Sequence, residues 1–161
     1  MDLLKLLHDW SRNGLPFMLF FVQWVWSLSF LWRPVWVGGF MFLSRVLFFL
    51  VGILAVSGIG LAFMGLHVPI ATVGARPDLS VVCNRSSALD CLPWDPSRQW
   101  EHLMYGAFLV LSSVAIEVLY RGTLMEKRQG LRWIPLATLF AFGCAVRVGQ
   151  VAYLPGATPG T

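Results

Sequence analysis

Phe40 to Leu66 reads FMFLSRVLFFLVGILAVSGIGLAFMGL, an apolar run interrupted by one charge, Arg45. Crossing a hydrocarbon core of ~30 Å takes about 20 apolar residues as a helix, and this run exceeds that length. A helix also satisfies its own backbone hydrogen bonds in lipid, which an open sheet does not. A closed barrel would need alternating strands of about ten residues, and no such alternation occurs in the chain. The composition agrees: 57% of the 161 residues are hydrophobic and 12% are charged, against roughly 25% charged in a soluble domain. The expectation is an all-α integral membrane protein.

Outward from this run, residues 15–32, 103–120 and 133–154 are further apolar segments of spanning length. With 40–66 they predict four transmembrane helices in a single membrane domain over 1–161. Residues 15–32 form only an 18-residue uncharged run, the minimum for a crossing. Three spans plus an N-terminal interfacial or re-entrant helix is therefore the alternative. Residues 1–14 place Leu3, Leu6, Leu7 and Trp10 on one helical face, which suits a segment lying in the headgroup region. The first apolar run has no small-residue cleavage site behind it, so it is expected to stay in the protein. Gly38-Gly39 reads as a flexible joint, and the tail PGATPGT as a frayed terminus.

Charge sets the predicted orientation. The connection 121–132 carries Arg121, Lys127, Arg128 and Arg132 against Glu126, which assigns it to the cytoplasmic side. Arg33 and Arg45 then also fall inside, and the long polar interval 68–100 and the C-terminus fall outside. A bacterial inner membrane is the expected location. The basic residues behind the net charge of +4 lie singly at helix ends, with only Lys127-Arg128 adjacent, so they serve orientation and predict no nucleic-acid partner.

Few residues invite chemistry. Cys83 and Cys91 share the outer loop, where thiols oxidise, and a bridge between them would be worth roughly 2.5 kcal/mol by loop entropy. A redox role would instead want a reactive Cys-x-x-Cys pair, and the remaining cysteine, Cys144, lies in the last span. Asn84-Arg85-Ser86 is a formal glycosylation triplet.

Arg45, Glu117 and Arg147 fall within spans, where charge is costly. At a rise of ~1.5 Å per residue, Arg45 and Glu117 lie about 8 and 5 Å from the same membrane face, which predicts an ion pair with Arg121 as competitor. Arg147 lies about 20 Å from that face, within reach of an outer polar cluster of Glu101, His102 and His67. A proton path through Glu117, Arg147 and Gln150 would have to bridge a gap of about 12–15 Å in depth. Two-histidine haem ligation fits only near the outer surface, because His8, His67 and His102 all flank spans.

Small residues form two stripes, Ala55, Gly58, Ala62 and Gly65 on the second span and Ala137, Ala141, Ala145 and Gly149 on the fourth. Such stripes let helix backbones approach closely. Eight Trp and twelve Phe suit lipid, partner, pigment or quinone contact equally. No metal-ligand spacing or phosphate loop occurs, and no cofactor is predicted, with pigment, quinone or haem contact left open. The functional expectation is a non-enzymatic membrane subunit, held among lipid and larger membrane-protein subunits, that presents a disulfide-braced outer loop. The alternatives are a small transporter or proton-conducting component using Glu117 and Arg147, and a thiol-disulfide oxidoreductase using Cys83 and Cys91.

Overall fold

The computed structural model describes residues 14–35, 37–64 and 96–153. Every regular element among them is helical: α1 (Leu15–Ser27), α2 (Ser29–Trp32), α3 (Gly38–Phe63), α4 (Pro96–Arg121) and α5 (Lys127–Tyr153). Four segments are long and apolar enough to cross a membrane, with α1 and α2 together forming the first. The expected N-terminal amphipathic helix, Gly65, His67, Cys83, Asn84, Cys91 and the C-terminal tail lie outside the described residues.

Position 28 divides the first span. The Ser27 hydroxyl donates to the Trp24 carbonyl at 2.6 Å and the Ser29 hydroxyl to that of Trp26 at 2.8 Å. Serine hydroxyls that compete in this way for helix carbonyls bend a helix. The segment nevertheless runs the full depth of the bundle, antiparallel to α5. Phe17 lies on Gly149, Trp24 stacks on Phe142 with ring centroids 6.0 Å apart, and Ser27 meets Thr138 at 2.8 Å. A re-entrant segment would turn back before completing that register.

The helices are longer than the apolar runs. Helix α4 already includes 96–100, assigned from sequence to the loop, and α5 begins at Lys127, inside the expected basic connection. Helical hydrogen bonding needs no apolar side chains, so both helices extend past their hydrophobic segments. Pro96 is the first residue of α4, where a missing N–H costs nothing. The Gly38-Gly39 joint also proves helical, and the Trp26 indole lies against Gly39.

The turn between α4 and α5 spans residues 122–126. Gly122 has φ 71°, and its N–H reaches the Leu119 carbonyl while that of Thr123 reaches Val118, the two bonds of a Schellman cap. Past the turn, Gly130 lies so close to the Leu119 carbonyl that a Cβ there would overlap it. That contact joins the start of α5 tightly to the end of α4. At the far end, a Cβ on Gly149 would overlap the Phe17 ring.

Helix α5 is therefore the centre of the bundle, packing mainly on α4 and then on α1. In its spanning window 44% of residues are buried, against 22% for α3. Helix α3 touches α4 and α1 and has almost no contact with α5. Its buried residues cluster in the first half, from Phe40 to Val51, with Ser57 beyond. An aromatic cluster at this end holds it: Phe40 stacks on Tyr120 at 5.6 Å and meets Phe30 edge-on at 4.9 Å. Tyr120 is 1% exposed, although its place at a span end reads in sequence as an interfacial aromatic.

Candidate functional site

The charges that sequence places within spans separate into three environments. At the end of the bundle shared by the start of α4 and the end of α5, Arg147 Nη2 donates to Glu101 Oε2 at 3.2 Å. Its Nη1 donates to Gln150 Oε1 at 3.5 Å, and its guanidinium carbon lies 5.8 Å from the centre of the Tyr105 ring. The two charged side chains are 25% and 20% exposed, so water screens the pair only in part. Arginine suits the position because one planar fork can serve the carboxylate, the amide and the ring face together. His102, adjacent in sequence to Glu101, is half-buried.

At the opposite end the expected Arg45–Glu117 pair does not form. Glu117 takes the competitor, Arg121 on the same helix, with Nη2 to Oε1 at 2.6 Å and Nε to Oε1 at 2.7 Å. A glutamate four residues before an arginine is the favourable order for a pair within one helix. Depth arithmetic carries no azimuth, so it could not say which way Arg45 points. Helix α3 turns Phe40, Ser44, Leu47 and Val51 inward, which leaves Arg45 exposed and without an ion pair among the described residues.

Glu117 and Arg147 consequently belong to different ends of the bundle. Glu101, the partner of Arg147, and Glu117 both lie on α4, separated by about 24 Å of helix at ~1.5 Å per residue. No hydrogen bond links the two pairs among the described residues.

A third polar group, between these ends, did not figure in the sequence reading. Gln23 Nε2 donates to Ser44 Oγ at 3.0 Å, joining α1 to α3, and Ser44 Oγ lies 2.9 Å from the Phe40 carbonyl. Four residues along α1, the Ser27–Thr138 hydroxyl pair joins α1 to α5. Gln23, Ser27, Ser44 and Thr138 are all buried, and Gln23 Oε1 accepts no hydrogen bond from the described residues. The signal was present: Gln23 and Ser27 fall one helical turn apart in an apolar run, and polar residues in spans turn toward neighbouring helices.

The small-residue stripes differ in burial. Ala141, Ala145 and Gly149 are buried and Ala137 half-buried, so this face of α5 is used within the bundle. Ala55, Gly58 and Ala62 on α3 are only half-buried. Cys144 is a buried free thiol, and the bridge expected between Cys83 and Cys91 falls on residues outside the described ones. No group of three His, Cys, Asp or Glu side chains suited to a metal ion occurs among the described residues.

Among the described residues the polar groups thus join helices, pair within one helix or stand alone, and none pairs a nucleophile with a base. No family model matches the chain, and no curated protein or solved structure is similar to it at a significant level.

Proposed function

We propose that the protein is a non-enzymatic integral membrane subunit that packs against a larger membrane protein through α3. The observation that carries this reading is Arg45. It lies on a face of α3 made of Phe42, Arg45, Phe49, Gly52, Val56, Ile59 and Phe63, at alternating steps of three and four residues, and every one is exposed. Exposed apolar side chains alone would suit lipid. An unpaired arginine costs about 2.5–3.5 kcal/mol at the centre of a helix in the membrane, and less near an end. A partner's carboxylate or backbone carbonyls would relieve that cost, and Gly52 would let the partner helix approach about two turns further on.

By the positive-inside rule the end bearing Arg121, Lys127, Arg128 and Arg132 faces the cytoplasm of a bacterial inner membrane. The 68–100 loop and the C-terminus then lie outside, and a Cys83–Cys91 bridge would brace the loop.

A photo-cross-linking residue at Phe49, in native membranes, tests the reading. We expect a discrete adduct with another protein that Arg45→Gln weakens and Gly52→Leu abolishes, and no such adduct from Leu111 on α4. Adducts with lipid alone, from a chain that purifies as a stable monomer in mild detergent, would show that Arg45 reaches the headgroups instead and would sink the proposal.

A further inference from the structure

Arg128 and Arg132 lie one turn apart at the start of α5, both exposed and neither in an ion pair among the described residues. With Gln129 and Glu126 they line an open cleft of about 300 Å³. Directly beyond them on the same face of α5, Leu136, Leu139, Phe140 and Gly143 are also exposed, with Trp133 at the flank. Beyond the local backbone of α5, no atom of the described residues lies within 4 Å of the position a Cβ on Gly143 would take, so the face is open there.

We infer that this face binds one anionic phospholipid, its phosphate held by Arg128 and Arg132 and one acyl chain laid along Leu136, Leu139 and Gly143. Three observations combine. Two arginines at adjacent turns present a fork of donors to a phosphate, which a single snorkelling side chain does not. Eleven residues from Arg132 to Gly143 rise about 16 Å, close to the ~15 Å that one leaflet contributes to the hydrocarbon core. Trp133 stands where the basic and apolar parts meet, the depth at which indole rings settle in a bilayer. Glu126, in the same cleft, opposes an anion, so the phosphate is placed on the Arg132 side. Arg33, another exposed arginine at this end, lies on the connection to α3 and not on the face of α5 that carries Leu136, Leu139 and Gly143. This inference is independent of a partner on α3.

Spin-labelled phosphatidylglycerol and phosphatidylcholine, added to the full chain in phosphatidylcholine vesicles, provide the test. Each basic residue near a charged headgroup is worth roughly a fivefold preference, so two should favour phosphatidylglycerol by up to about 25-fold. Arg128→Gln with Arg132→Gln should bring the preference near unity, and Arg33→Gln should leave it almost unchanged. Gly143→Leu, which meets no neighbour, should lower the motionally restricted fraction of bound lipid without touching a charge. Equal selectivity in the double variant, or none in the native chain, overturns the site. Displacement by inorganic phosphate, together with no effect of Gly143→Leu, would identify a soluble-anion site and overturn the lipid assignment.

Discussion

Tyr120 engages both backbone groups of Val37: its hydroxyl donates to the Val37 carbonyl at 2.7 Å and accepts from the Val37 N–H at 2.9 Å. One phenol on α4 therefore fixes the connection that leads into α3, in the middle of the cluster formed with Phe30 and Phe40. Tyr120→Phe keeps the ring and removes both bonds. It should cost about 1–3 kcal/mol, measured by thermal or denaturant unfolding in detergent, and should speed protease cleavage between Arg33 and Val37. Unchanged cleavage would mean that ring packing alone holds the connection.

Gly149 and Phe17 set the spacing of α1 and α5 at the opposite end. Gly149→Leu should destabilise by about 1–3 kcal/mol through overpacking. Phe17→Ala in the same chain should restore a large part of that loss, because the atoms that clash are those of the Phe17 ring. Additive losses in the double variant would refute the contact.

The Arg147–Glu101 pair should behave as a partly buried bond. Arg147→Gln or Glu101→Gln should lower stability by about 1–2 kcal/mol, between the values for exposed and buried pairs. Exchanging the two, Arg147→Glu with Glu101→Arg, should recover part of the loss. If the exchange is no better than the worse single variant, Gln150 and Tyr105 hold Arg147 without Glu101.

Gln23 gives a prediction of opposite sign. Its Oε1 is buried and has no partner among the described residues, whereas Ser44 keeps the Phe40 carbonyl as a partner when the amide is gone. Gln23→Leu should therefore stabilise, by about 1 kcal/mol. A loss of more than that would reveal a water or other donor on Oε1 in the membrane.

Sequence carried the number and order of the spans, because apolar length answers directly to bilayer thickness. It also made Glu101 a reachable partner for Arg147, since axial rise fixes depth. Azimuth was the missing quantity. The face that α3 turns inward is set by which side chains find Phe30 and Tyr120, so Arg45 could be placed in depth and still be assigned the wrong partner. The Gln23–Ser44 and Ser27–Thr138 bonds escaped for a related reason: each joins residues from different spans, and hydropathy treats every span alone. The helix ends were unreadable because a helix continues past the apolar residues that announce it.

The Tyr120–Val37 contact also has a consequence in time. The two residues are 83 apart in the chain, so at about 5–20 residues per second a ribosome needs roughly 4–17 s to deliver the phenol after Val37 has emerged. For that interval α3 has only α1 and α2 to pack on, and Arg45 enters the bilayer before α4 exists. Helix α5, on which α4 and the first span pack, follows α4 in the chain, so the centre of the bundle forms only after both have been made.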